Sequence, residues 1–247
     1  DIAGSLHIGR GQTDINNLNA LSSIRSIGGD LYIQTQGSDL ANLDGLQNIT
    51  TVGALDLRHN YALNNIDALS KLLSVQNQIW IVTNPKLTNI DALGNITSAG
   101  AVRISGNDAL TSIDGLANIS KVAGYVHVFH HSALRDLKGL SGLYSVGADL
   151  FIAHNAVITD LKPLSNLSYV GGDLTVADND ELTNLGGLES LQRVGGGVVI
   201  GGNYYLDGNA KLTHLDGLDN VASVGGKLQI LNNPALSNVD SLSNIID

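Results

Sequence analysis

The stretch Val170–Leu188, VGGDLTVADNDELTNLGGL, contains every part of a unit that the rest of the chain repeats. A glycine pair precedes an L-x-V strand, an asparagine follows it, and apolar residues then stand at every third position. Steps of 25, 24, 24, 23, 24, 24, 24, 24 and 30 residues separate the successive copies of the strand. A fixed period of this length is typical of a solenoid, in which each coil buries its apolar edge against its neighbours. The second apolar residue of the strand recurs as Ile8, Ile33, Leu57, Ile81, Ile104, Val128, Ile152, Val176, Ile200 and Ile230.

We therefore predict a single mainly β domain over residues 1–247, a parallel β-solenoid of about ten coils of ~24 residues. The apolar period of three after each strand suits short 3₁₀ or extended segments better than an α-helix. Neither end of the repeat carries a polar cap, which terminal coils normally need. We expect the sequence to be a segment of a longer chain or a subunit that stacks end to end.

Two columns of the repeat have predicted structural roles. Glycine pairs such as Gly171-Gly172 come before the strands, at a corner where we expect positive φ. An inward asparagine after the strand is expected to satisfy backbone groups of adjacent turns, with Gln36 and His131 in its place in two coils. The predicted asparagine column is Asn60, Asn84, Asn107, Asn155, Asn179, Asn203 and Asn233.

Composition narrows the possible partners. Apolar residues make up 43% of the chain but aromatics only 4%, and cysteine and methionine are absent, so the expected core is Leu, Ile, Val and Ala. The net charge is −10 and no run of Lys or Arg occurs, which excludes nucleic acid and anionic membrane surfaces as favoured partners. No apolar span of about 18 residues is present, so we expect no membrane insertion.

The repeat unit L-x-I-x-x-N-x-x-L-x-x-(I/L)-D-G-L-x-x-(I/L)-x-x-V-G-G resembles the L domains of insulin- and EGF-receptor ectodomains and related leucine-rich surface proteins of microbes. This resemblance covers the whole chain. It implies a right-handed parallel β-solenoid of the leucine-rich type, placed extracellularly or at the cell surface. It also implies a binding or adhesive role without catalysis, and we expect no cofactor. Receptor L domains are shorter and carry disulfide-bonded caps, which this sequence lacks.

Function should lie among residues that vary from coil to coil. The outward residue of each strand forms such a column: His7, Tyr32, Asp56, Trp80, Arg103, His127, Phe151, Thr175, Val199 and Gln229. Aromatic residues that the core avoids are gathered on this face, which favours contact with a protein or glycan. The alternative is that aromatics stand there only because of their β-propensity. The predicted binding residues are Tyr32, Trp80, Arg103, His127, Phe129, His130, Phe151 and His154.

Two competing functions remain open. The uncapped ends favour a structural subunit of an extracellular filament or surface layer, assembled by head-to-tail stacking of coils. A polysaccharide-cleaving enzyme would need clustered carboxylates, whereas Asp56 stands alone between other residue types in its column. We therefore predict no enzymatic activity.

His130, His154 and Asp178 occupy one place in three successive coils. They form an alternative zinc or copper site, and the other interpretation is that they are ordinary surface histidines.

Two further features bear on interactions. The ninth coil is six residues longer, and its loop contains Tyr204 and Tyr205 as predicted contact residues. Four N-x-[ST] sequons fall at one place of the repeat and predict either a stripe of glycans or a by-product of the consensus. The sequon asparagines are Asn48, Asn95, Asn118 and Asn166.

Overall fold

A computed structural model describes residues 1–10, 14–37, 39–202 and 207–245. Ten parallel strands pair in chain order into one sheet, and Ile33, the inward residue of the second strand, lies opposite Ile8 and Leu57 of the adjacent strands. This register continues to Ile230, so the predicted column is confirmed along its whole length. We number coils 1 to 10 by the strand that each contains. The strands are Leu6–Gly9, Leu31–Gln34, Leu55–Arg58, Gln78–Val82, Ala101–Ser105, Val126–His131, Leu150–Asn155, Leu174–Ala177, Val198–Gly201 and Leu228–Leu231.

Shorter elements form the other sides of each coil. Two-residue strands build a six-stranded parallel sheet from Ser98–Ala99, Lys121–Val122, Ser145–Val146, Tyr169–Val170, Arg193–Val194 and Ser223–Val224. The same corner pairs Thr51–Val52 with Ser74–Val75. Three-residue 3₁₀ helices occupy Asn19–Leu21, Asp67–Leu69, Asp91–Leu93, Asp114–Leu116, Lys138–Leu140, Lys162–Leu164 and Asp240–Leu242. None of the helices in the described ranges is long and apolar enough to span a membrane.

The core is one continuous column of aliphatic side chains. Its buried apolar members are Leu, Ile, Val and Ala, and no aromatic ring is among them in the part of the chain that the structure describes. Each coil stacks its inward residues on those of the next, about 4.8 Å away, so neighbouring layers close off water together. These observations confirm a mainly β, parallel β-solenoid.

An asparagine ladder runs along the interior beside the strands. The Asn84 Nδ2 donates to the Leu57 carbonyl oxygen at 3.0 Å, and its Oδ1 accepts from both the backbone N and the Nδ2 of Asn60. In the next coil Asn107 repeats this pattern, because its Oδ1 accepts from both the backbone N and the Nδ2 of Asn84. Because each amide bonds the coil before it, the ladder fixes the register of adjacent turns and satisfies their buried polar groups.

Two predicted ladder positions were wrong. In coil 2 the Thr35 backbone N and hydroxyl both donate to Asn60 Oδ1, so Thr35 takes the position predicted for Gln36. In coil 9 Asn209 accepts from the Asn179 backbone N at 3.1 Å, and its own N donates to Asn233. Asn203 lies outside the described residues. In coil 9 the six extra residues therefore come before the ladder asparagine in the sequence. The prediction was wrong because it counted a fixed number of residues from the strand to the ladder.

The role predicted for the glycine pairs was also wrong. Gly171 and Gly195 have no positive φ; the positive-φ glycines include Gly45, Gly187 and Gly217, which lie in the turns opposite. A Cβ on Gly171 would instead collide with the Gly147 carbonyl oxygen of the coil before. Where a coil has glycine at this corner, the coil before it approaches too closely for a Cβ, so these glycines serve close stacking and not a positive φ.

Candidate binding face

The strand face comprises the outward side chains of the ten-stranded sheet, and the register brings them into one column. Trp80 lies opposite Asp56 on one side and Arg103 on the other, and His127 lies opposite Phe151. The Trp80 and Phe151 rings are half-buried on the surface rather than enclosed in the core, and so is Phe129. Period-two alternation placed these residues outward, and their differing identities make the face irregular from coil to coil.

At the first coils the face is polar. The His7 ring stacks on Tyr32 with centroids 4.4 Å apart, and the Tyr32 hydroxyl donates to Asp30 at 2.9 Å. In coil 3 the Arg58 Nε donates to the Asp56 carboxylate at 2.6 Å, although Asp56 is only 2% exposed. Arg58 lies two residues after Asp56 on the same strand and neutralises the charge of its buried carboxylate. A buried carboxylate needs such a partner.

Aromatic contacts link coils 4 to 7. The Trp80 Nε1 donates to the Tyr125 hydroxyl at 2.9 Å, and the Tyr125 ring lies 4.4 Å from that of His127. The His127 ring in turn lies 5.6 Å from Phe151, which meets Phe129 edge-on at 5.5 Å. These separations fall in the range of favourable aromatic pairs, so the rings form one connected surface.

The same surface continues through histidines in coils 6 and 7 and an aspartate in coil 8. The Phe129 ring lies 5.2 Å from His130, which stacks on His154 at 4.2 Å with ring planes 17° apart. The His154 Nδ1 contacts the Asp178 carboxylate. His130, His154 and Asp178 each have positive φ at the C-terminal end of their strand or directly after it, so one backbone conformation presents all three in register.

Burial shifts several pKa values on and beside this face. Desolvation lowers the pKa of His127, with the Arg103 charge as a second cause, and lowers the pKa of His130, where His154 adds to it. Desolvation raises the pKa of Asp56, and the hydrogen bond from Arg58 opposes that rise. His127 and His130 are therefore held in the neutral form more strongly than free imidazole.

Comparison with known proteins identifies the relatives of this architecture. Residues 1–115 match the family model of the Receptor L domain. The chain is also similar to the crystal structure of internalin C2 from Listeria monocytogenes, with 18% identity and a TM-score of 0.53 over 92% of this chain and 79% of that one. An internalin InlF structure from the same organism aligns at 18% identity and a TM-score of 0.46, covering 94% of this chain and 74% of that one. A search of the curated proteins found no match.

The resemblance to receptor L domains and microbial leucine-rich proteins is thus confirmed. At 18% identity the internalin likeness shows the solenoid fold alone, and it extends the similarity beyond the part that the Receptor L domain model covers.

The alternative metal site gains no support from the geometry. His130 and His154 lie face to face, so their in-plane nitrogen lone pairs do not converge on one point, and Asp178 already contacts His154. Within the described ranges no group of three or more His, Cys, Asp or Glu side chains is arranged to hold a metal ion. A stacked pair of histidines and the contact of one of them with Asp178 account for the trio.

The four sequon asparagines share a structural bond. Each donates its Nδ2 to a turn carbonyl of the preceding coil, as Asn95 does to Ser70 at 2.8 Å. Asn220 and Asn244 make the same bond to Glu189 and Asp219 without being part of a sequon. The bond therefore accounts for an asparagine at this place of the repeat, which favours the consensus as the origin of the sequons. We call these six residues the asparagine edge.

Two residues of the strand face were not predicted from the sequence, and two predicted contact residues lie outside the described part of the chain. Arg58 and Tyr125 contribute directly to the strand face but were not predicted. Arg58 continues the outward alternation of Asp56, and Tyr125 occupies a corner position that varies between coils, so the rule of variable positions would have found both. Tyr204 and Tyr205, the predicted loop contacts, lie outside the described residues.

Proposed function

We propose that this chain is a non-enzymatic, extracellular or cell-surface recognition module that binds a protein or glycan partner through its strand face. One observation carries the proposal: aromatic and histidine rings of coils 6 and 7 contact one another, and Trp80 of coil 4 bonds to them through Tyr125, along one side of a core without aromatic residues. Connected rings on an accessible, half-buried surface are the anchors that binding interfaces use.

The clustering also separates binding from simple β-propensity. Propensity acts equally on every strand, yet the same outward position holds Thr175, Val199 and Gln229 in coils 8 to 10. Rings are thus concentrated where they touch one another. The match to the Receptor L domain model and the solenoid shared with internalin C2 support a recognition role and a surface location. Asp56 is paired with Arg58 and Asp178 with His154, so neither is a free carboxylate of the kind that polysaccharide-cleaving enzymes use in pairs.

Binding of probes from an array of extracellular proteins and glycans would test the proposal. The test compares the wild-type chain with a double variant, Phe129→Ala and Phe151→Ala, which removes the centre of the ring cluster. A matched control is Tyr144→Ala, because Tyr144 is 60% exposed and lies outside the strand face. We expect the double variant to lose at least about tenfold in affinity, as central aromatic anchors do, and the control to bind normally. Equal binding by all three proteins would contradict the proposal.

Stacking into a filament or surface layer is the second candidate, and the apolar side chains of coil 10 are the surface that it would use. Leu228 and Val239 of coil 10 are 40% and 50% exposed, whereas their counterparts in earlier coils are buried. A second copy stacked on coil 10 would cover them and pair with the strand Leu228–Leu231. Sedimentation velocity and negative-stain microscopy test this directly: rods that disappear on Val239→Lys support stacking, and a concentration-independent monomer contradicts it.

A further inference from the structure

We propose that the cleft between Arg58, His59, Trp80 and Arg103 binds a carboxylate of an acidic segment of a protein partner. This inference rests on the proposed recognition function and names the class of partner. The cleft has a volume of ≈ 220 Å³ and is lined by these four residues and Val82. It is smaller than the roughly 300–1,000 Å³ of typical small-molecule sites and suits a single inserted side chain.

The charges of this cleft are not balanced by the chain itself. Arg103 is half-buried and has no hydrogen bond or ion pair with any described residue, and its Nε is buried without a partner. Arg58 uses only its Nε, on Asp56, so two guanidinium groups face one carboxylate. A half-buried cation with a buried, unpaired N–H costs free energy, and an incoming carboxylate would reduce that cost. A local positive site is unusual in a chain of net charge −10.

The geometry favours a carboxylate over a stacked sugar ring. The Arg58 guanidinium lies 4.9 Å over the Trp80 ring, and the Arg103 guanidinium lies 4.9 Å over the Phe129 ring. The Trp80 N–H is already donated to Tyr125. One face of each ring is thus occupied, and the unused groups of the cleft are guanidinium N–H donors.

Stacking on the rings also holds these guanidinium groups in place, and their planar fork matches a carboxylate in geometry and charge. The His59 Nδ1 is buried without a partner beside them and supplies a further polar group for the same ligand. An acidic side chain of a partner protein satisfies all of these groups with one insertion.

Trp80 makes the cleft directly observable, because it is the only tryptophan of the chain. Its fluorescence would be titrated with a capped hexaglutamate peptide at low ionic strength, with capped hexaglutamine as the uncharged control and trigalacturonate as an acidic sugar. We expect a saturable change with hexaglutamate that weakens as salt is added, and little change with the other two ligands. An equal response to hexaglutamine, or a response to trigalacturonate alone, would overturn the proposal.

Three variants assign the response to the cleft. Arg103→Gln should weaken hexaglutamate binding by about tenfold or more, because it removes the unpaired cation. Arg193→Gln makes the same change of charge on the exposed second sheet and should leave binding unchanged. Asp56→Asn should tighten binding several-fold, because it removes the carboxylate that competes for Arg58.

Far-UV circular dichroism would establish that each variant is folded. Unchanged affinity for Arg103→Gln in a folded protein would sink the assignment of this cleft. The recognition role would still stand in that case if the Phe129 and Phe151 double variant had lost its array partner.

Discussion

The strand face and the asparagine ladder are two columns of the same solenoid, and they differ in what the repeat allows. The ladder places nearly the same residue in every coil and bonds it to the backbone of the coil before, as Asn84 does to Leu57. The strand face changes residue in every coil, and its side chains contact one another, as His127 and Phe151 do. Repeated residues therefore hold the stack together, while varied residues are free to serve recognition.

The largest effect should come from breaking the ladder. Asn84→Ala removes the bond to Leu57, leaves the Asn60 backbone N without its acceptor, and removes one of the two acceptors of the Asn60 Nδ2. Because each buried orphaned group costs about 1–3 kcal/mol, we expect a loss of about 3 kcal/mol or more in the free energy of unfolding. Urea denaturation followed by circular dichroism would measure it. A loss below about 1 kcal/mol would show that the ladder does not hold the coils together.

Repairing the ladder should have the next largest effect and the opposite sign. His131 places Nε2 3.2 Å from the Ile104 carbonyl oxygen and Nδ1 3.3 Å from that of Asn107, and a neutral imidazole can donate to only one of them. The Asn155 Oδ1 in the next coil is buried without a partner. His131→Asn should reconnect the two halves of the ladder and stabilise the fold by about 0.5–2 kcal/mol, as repeat-consensus substitutions do.

The same variant should change the response to pH. Burial lowers the pKa of His131 in the folded chain, so the unfolded chain binds more protons below its ordinary pKa of about 6.5. Wild-type stability should therefore fall as pH drops below about 6.5, and His131→Asn should fall less steeply. His127 and His130, whose pKa values are also lowered, contribute to this loss in both proteins. Parallel pH profiles for the two proteins would contradict the prediction.

A substitution on the strand face should cost less stability than the ladder variant. Phe151→Thr installs the residue type that Thr175 provides at this position in the next coil. It removes ring contacts with His127 and Phe129, worth about 1 kcal/mol on a half-buried surface. Thermal unfolding should show a small decrease, while partner binding should fall strongly. A loss as large as that of Asn84→Ala would make the strand face a structural element instead.

The smallest effect should come from the asparagine edge. Asn95→Gln removes a sequon and an exposed bond to Ser70, whereas Asn220→Gln removes the equivalent bond without a sequon. Each should cost about 0.5 kcal/mol, because the bonds are exposed to water. Intact-mass analysis after secretion from eukaryotic cells would reveal whether Asn95 carries a glycan. If it does, Asn95→Gln should lose the mass of one glycan and Asn220→Gln should keep it.

The solenoid could be predicted from the sequence because the same pattern of apolar residues recurs in every coil. The spacing from Ile8 to Ile230 assigned every strand of the large sheet, and period-two alternation assigned its outward residues. The glycine pairs were misinterpreted because the separation of stacked coils is a property of the assembly and not of the local sequence. Tyr125 was missed as a partner of Trp80 because 45 residues separate them, and only the stacked coils bring them together.

Coil 9 has a consequence for how such a chain can diversify. Asn179 and Asn209 stand 30 residues apart instead of 24, yet their hydrogen bond is intact, and the flanking strands keep Ile200 opposite Ile230. Extra residues between a strand and its ladder asparagine are therefore absorbed without disturbing the layers above and below. The equivalent junction in the other coils offers a natural graft point, where new loops could be inserted beside the strand face while the scaffold keeps its register.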